Sequence, residues 1–121
     1  MQKTILLVSR DEKIQANRAF VLHRAGYRTM RTASLTSAVQ LAAYCQMTVI
    51  GNTFSFHEQD AFMSNVHAAY PNLFMLCLRS GLANPNALPA HVADFFGTGR
   101  GKSRIRVIEE SNLIAWPQKA S

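Results

Sequence analysis

The densest group of side chains that could do chemistry is Gly97-Thr98-Gly99-Arg100-Gly101-Lys102-Ser103, whose glycines, lysine and serine stand close to the spacing that cradles a nucleotide phosphate. In that chemistry backbone N–H groups wrap the phosphate, the lysine neutralises it and the serine reaches Mg²⁺. The match misses by one position. The pattern needs a glycine five residues before Gly101, where Phe96 stands, and no acid for Mg²⁺ follows a later strand. Two readings stay open: a basic surface loop, or a weak contact to an anion or acidic partner through Arg100, Lys102, Arg104 and Arg106. Elsewhere the reactive residue types are scattered. His23, His57, His67 and His91 lack the spacing of a metal site, no G-x-S-x-G motif is present, and neither Cys45 nor Cys77 stands in a nucleophile's sequence context. The expectation is a protein that is not an enzyme and has no cofactor or metal.

The surrounding chain sets the charge in which these residues act. Thirteen Lys and Arg against seven Asp and Glu give 121 residues a formal net charge of +6, which favours anionic partners without naming one. With 48% hydrophobic residues, 4 Pro, 6 Gly and no biased tract, the chain can bury enough surface to fold as one domain. The opening MQKTILLVSRDEK carries an apolar run of only Ile5 to Val8, shorter than the roughly 7 to 15 residues of a signal peptide. No stretch approaches the roughly 18 apolar residues of a membrane span. Two cysteines in apolar stretches do not make a disulfide framework, so a cytoplasmic location without membrane contact is expected.

Elements that would position these residues can be read from periodicity. Thr4 to Val8, Met47 to Ile50 and Leu73 to Leu78 are short continuous apolar runs, the pattern of strands buried on both faces of a parallel sheet. Between them lie helical stripes. One holds Ile14, Val21 and Ala25 and stops at Gly26; a second follows an N-cap at Ser34 and runs through Leu35, Ala38, Leu41, Ala42 and Cys45; a third holds Ala61, Phe62, Val66 and Ala69 and ends at Tyr70-Pro71. Tyr27 to Thr32 is a further short strand. Phe20, Phe62, Phe74 and Met75 are expected in the core. Ser80 to Pro89 is broken by Gly81, Pro85 and Pro89, Asp94 to Phe96 reads as a brief fifth strand, and a last helix is expected from about Ser103 to Asn112. Alternating strands and helices with right-handed crossovers predict a doubly wound α/β sandwich.

The run ILLVSRDEKIQANRAFVLHRAGYRTMRTAS, the strand TVIGN and the segment PNLFMLCLRSG resemble, in element order and spacing, the response-regulator receiver domain, the CheY-like family of two-component signalling. The resemblance covers about residues 3 to 112 and implies a flavodoxin-like fold, a five-stranded parallel sheet in the order 2-1-3-4-5. The boundaries are therefore a receiver-like domain at 1–112 and a C-terminal tail at 113–121. With only fourteen residues between Arg79 and Asp94, a fourth helix should be shortened or lost.

The resemblance also implies where a receiver's chemistry would sit, and there the chain departs from it. The acidic pair that holds Mg²⁺ falls on Ser9 and Arg10, the phosphoacceptor aspartate on Asn52, the switch Ser/Thr on Arg79, the lysine after the fifth strand near Thr98, and the aromatic switch on Phe95 or Phe96. An amide is not a carboxylate nucleophile, and Mg²⁺ wants hard anionic oxygens where this chain offers two arginines. The expectation is a degenerate pseudo-receiver without Mg²⁺ and without phosphorylation, working as an interaction module that binds a protein partner. The alternative is nucleic-acid or phosphorylated small-ligand binding, through the loop at 97–106 or through Arg10, Asn52 and Arg79 at one rim. A homodimer is compatible with either. At that rim Arg10 could instead pair with Asp11 or Glu58, with Arg79 in solvent.

Overall fold

Apolar runs that carry no polar face must be covered on both sides, and here they form the middle of a sheet. The computed structural model describes residues 2–80, 82, 84–98 and 103–109. Within them the chain runs β1 (Thr4–Val8), α1 (Glu12–Arg24), β2 (Arg28–Thr32), α2 (Leu35–Leu41), β3 (Met47–Ile50), α3 (Phe56–Ala69), β4 (Phe74–Leu78), α4 (Leu88–Thr98) and β5 (Ile105–Ile108). The strands are parallel in the order β2-β1-β3-β4-β5, the doubly wound architecture expected from the sequence. Side chains alternate between the two faces. Leu6, Val8, Ile50, Met75 and Cys77 pack under α2 and α3, while Ile5, Leu7, Val49, Leu76 and Leu78 pack under α1 and α4. No helix among the described residues is long and apolar enough to cross a membrane.

Local signals set most boundaries. Asp11 caps α1 by accepting from the Ile14 N–H, and Gly26, at φ 97°, makes the left-handed turn into β2. Ser34 caps α2, which ends at Leu41 and tightens into a 3₁₀ turn over Ala42–Tyr44 instead of continuing to Cys45. The buried face of α1 also differs from the apolar stripe: Ala25 is exposed and Ile14 half-buried, while Gln15 and Arg18 lie inside with Val21 and Leu22. Phe20 is exposed on that helix rather than in the core, with the Arg24 guanidinium over its ring.

The last third differs most from the sequence expectation. Asp94 to Phe96 is not a strand but the middle of α4, and the fifth strand is Ile105–Ile108, inside the segment expected to be helical. The reason lies in spacing: Leu88, Val92 and Phe95 form a stripe at four and three residues, and all are buried. Pro89 does not interrupt this helix, because it occupies the second position, where no intrahelical N–H bond is needed. The helix between β4 and β5 is therefore short, 11 residues after a 3₁₀ turn at Pro85–Ala87, as a shortened fourth helix requires. Residues 110–112 of the expected last helix and the tail at 113–121 lie outside the described residues.

The position of α4 carries a topological consequence. On one face α1 takes the chain from β1 to β2, and on the other α2 and α3 take it in the opposite direction, so these three crossovers share one hand. The α4 connection runs in the same direction as α3 but packs beside α1, so its hand is opposite. Parallel crossovers are right-handed in about 98% of cases, which makes β4-α4-β5 the exception. Its aromatic stripe finds partners there, with Phe74 edge-on to Phe95 at 5.0 Å and Tyr27 stacked on Phe96 at 6.3 Å. On the α3 side of β5, Val107 is left 42% exposed.

Leu76, fully buried at the centre of the sheet between β3 and β5, reports on this core. Leu76→Ala should cost roughly 2 to 5 kcal/mol as a cavity-forming truncation, read as a shift in the denaturant midpoint without a change in cooperativity.

Candidate functional site

All strands of a parallel sheet end on the same side, and the loops beyond those ends are where open α/β sheets bind ligands. That edge carries Ser9 and Arg10 after β1, Gly51 and Asn52 after β3, Arg79 after β4 and Glu109 after β5. The Arg79 N–H donates to the Ile108 carbonyl at 2.9 Å, holding the last two strand ends together. Thr98 and Phe95 do not belong to this edge. Both lie on α4, where they hold a β5 side chain: Arg106 donates to Thr98 Oγ1 at 2.7 Å, pairs with Asp94 at 2.7 Å and stands over the Phe95 ring. The residue that follows the fifth strand is thus Glu109, an acid where the receiver resemblance implies a lysine.

The two rim arginines close on the loop that joins β3 to α3. Arg10 reaches across from β1 to the Thr53 carbonyl and to Glu58, at 2.9 Å, with its guanidinium 4.4 Å from the Phe54 ring centroid. From β4, Arg79 donates to the Phe56 carbonyl, to Gln59 Oε1 at 3.0 Å and to Asp60 at 2.6 Å, and stands over the Phe56 ring. The hydrogen bond to Asp60 raises the Arg79 pKa. Both arginines approach the first turns of α3, as their positions after buried strands require, and each meets an acid there. Ser55 and Glu58 close a capping box at the start of that helix, a signal that S-x-x-E spacing announces and that the sequence reading did not use. Glu58 therefore serves two partners, and the Arg10 hydrogen bond, with the Ser55 backbone N–H, lowers its pKa to about 2.

Beneath the rim are three buried polar side chains that the apolar pattern passed over. Gln15 Nε2 lies 3.1 Å from the Leu7 carbonyl, 3.2 Å from that of Ser9 and 2.7 Å from that of Thr32. Gln59 Nε2 donates to the Gly51 and Leu78 carbonyls at 2.9 and 3.0 Å. Each glutamine stands at the fourth position of the helix after its strand, and each joins two neighbouring strand ends. The third is Arg18, only 5% exposed, whose Nη1 lies so near Gly51 that a Cβ on that residue would be 2.7 Å away. Burial lowers the Arg18 pKa, and the charge of Asp11 opposes the shift.

The residues at this edge do not fit Mg²⁺. Ser9 Oγ takes the Asp11 N–H and contacts Thr53 Oγ1, Arg10 and Arg79 are cationic, and Asn52 offers an amide. Asp11 is the carboxylate next to the β1 end, and its Oδ1 caps α1. Among the described residues no group of three His, Cys, Asp or Glu side chains could hold a metal ion. Cys45 and Cys77 are free and buried, with burial pushing each thiol up to about 11. The glycine-rich run joins α4 to β5, a helix to a strand, which reverses the strand-to-helix context that a phosphate loop needs. Arg100 and Lys102 lie outside the described residues, and Arg104 stands over the Phe74 ring at 4.5 Å.

No family model and no curated protein matches the sequence. Solved structures do match the fold. A CheY-like receiver domain protein from Methanospirillum hungatei superposes with a TM-score of 0.60 at 14% identity, over 99% of this chain and 94% of the other. Chemotaxis protein CheY4 of Vibrio cholerae gives 0.59 at 16% identity over the whole of both chains. A putative pilus assembly protein, cpaE, from Burkholderia thailandensis gives 0.55 at 21% identity over 98% of each. The chain thus has the receiver fold.

The Arg10–Glu58 pair predicts an acid-side signature. Because the Glu58 carboxyl is held near 2 in place of its ordinary 4.5, its contribution is complete above about pH 4.5 and disappears as the pH falls toward 2. Glu58→Gln keeps a capping side chain and removes the charge, so its urea midpoint should vary less than that of the unsubstituted protein across this window.

Proposed function

We propose that this chain is a receiver-like signalling module that works without phosphorylation, through contact with a protein partner. The observation that supports this reading is the set of side chains at the carboxyl edge, where two arginines are tied to α3 and where Ser9, Arg10 and Asn52 are the residues that the receiver resemblance aligns with carboxylates. Phosphoryl transfer to an aspartate needs a carboxylate nucleophile and a divalent cation to neutralise charge on the phosphoryl oxygens. Neither requirement is met by these residues. The arginine clasps also supply a positive role for the substitutions. They hold the β3–α3 loop and the first turns of α3 in one arrangement through five polar partners and two aromatic rings, so the edge becomes a fixed surface rather than a reacting centre.

A partner for this module would meet a surface unlike that of an ordinary receiver. With α4 beside α1, the α3 side of β5 presents Val107 and half-buried Ile105, and the net charge of +6 favours an acidic partner surface. The reading is tested with acetyl phosphate and Mg²⁺ followed by intact-protein mass spectrometry. No phosphoryl increment is expected, on the unsubstituted protein or on Asn52→Asp alone, since Ser9 and Arg10 still provide no metal site. A phosphorylated acid at the strand edge, Asp11 included, would end this reading.

A further inference from the structure

Arg18 is the one buried side chain at this edge whose placement the fold does not explain. It is 95% removed from solvent by the same burial that encloses Val21 and Leu22, yet it donates no hydrogen bond among the described residues. Asp11 is the carboxylate whose charge reaches it through space, while the Asp11 Oδ1 caps α1 by accepting from the Ile14 N–H. The Arg18 nitrogens are not sealed off, since Thr48 Oγ1 is the enclosed side-chain atom left without a partner among the described residues, so the guanidinium keeps contact with solvent and its five N–H donors stay open to an arriving acceptor. The rim cations differ in this respect. Arg10 and Arg79 are each matched by an acid and an aromatic ring, and an anion arriving at the rim would have to displace Glu58 or Asp60.

The surroundings of Arg18 define an approach. Its Nη1 lies against Gly51, where a missing Cβ leaves room for it, and Ser9 Cβ borders the same space. The next residue, Asn52, is exposed and its amide makes no hydrogen bond among the described residues. A cation lodged against Gly51 and an unengaged amide on the following residue put two sets of donors at the end of β3, where it runs beside β1.

We propose that Arg18 anchors a binding site for a small oxyanion, a phosphate or a carboxylate, which enters at Asn52 and takes the guanidinium fork with two of its oxygens. This goes beyond a protein-contact module, since the site would accept a small molecule whether or not a partner is bound. It also moves anion recognition from the exposed arginines, where charge and position alone would place it, to a residue inside the domain. A charge-assisted pair at a guanidinium discriminates by geometry, because a planar fork matches two oxygens at a fixed spacing.

The experiment follows the Arg18 Nε–Hε resonance of the ¹⁵N-labelled full chain during titration with sodium phosphate and, separately, sodium acetate, with chloride holding ionic strength constant. A saturable shift at Arg18 with phosphate assigns the site to phosphate-type ligands, and one with acetate assigns it to carboxylates. Arg18→Met should abolish saturation. Gly51→Ala, whose Cβ would push Nη1 aside, should weaken binding by about tenfold or more, while Arg10→Ala leaves it unchanged. If Arg18→Met does not fold, the unsubstituted protein and Gly51→Ala still decide. The proposal is overturned by a linear or absent response at Arg18 to both anions, or by affinity that survives Gly51→Ala and falls with Arg10→Ala.

Discussion

Parallel strands that stop inside a protein leave carbonyl groups with no further strand residue to bond, and those groups must find donors before anything can be built at the edge. Here two glutamine amides supply them. Gln15 gathers carbonyls from the ends of β1 and β2 from one face, and Gln59 gathers those of β3 and β4 from the other. Because each amide spans two strands, the four ends are held at a common level, and Ser9, Arg10, Asn52 and Arg79 follow them along one edge of the sheet. Gln59 also passes its own oxygen to Arg79, so the rim and the support beneath it form a single polar network.

Charge at that edge is distributed as a set. Arginines follow β1 and β4, an amide follows β3 and an acid follows β5, and the acids that answer the arginines come from the first turns of α3. A site designed to gather divalent charge would need the opposite distribution. The two arginines instead spend their charge within the protein, which explains why they can approach the same helix without repelling each other apart.

The sequence showed the sheet plainly, because β1, β3 and β4 are short unbroken apolar runs and nothing but a two-faced burial suits them. It also showed the start of α2, through the N-cap at Ser34, and the stop of α1 at Gly26. It did not show that Gln15, Arg18 and Gln59 face inward, since a polar residue in an apolar stripe reads as solvent-facing until its partner carbonyls are placed. The spacing was available: Gln15, Arg18 and Leu22 recur at three and four residues. The swap of helix and strand after Pro89 had a similar origin. Asp94-Phe95-Phe96 is as fit for a strand as for a helix by composition, and only the longer stripe from Leu88 and the short IRVI run separate the two. The hand of the last crossover lies beyond any local pattern, because it depends on which face offers the aromatic stripe a better neighbour.

Two thiols sit at different depths of the same half of the core. Cys45, beside the 3₁₀ turn that follows α2, is 7% exposed, whereas Cys77, in the middle of β4, is fully enclosed. The reagent-reactive species is the thiolate, and both groups are held as thiols at neutral pH by their surroundings. Alkylation therefore has to wait for the chain to open. Fraying of the short α2 segment would release Cys45 alone, while Cys77 becomes available only when the sheet itself separates, so the two labelling rates form an internal clock that times local breathing against global unfolding.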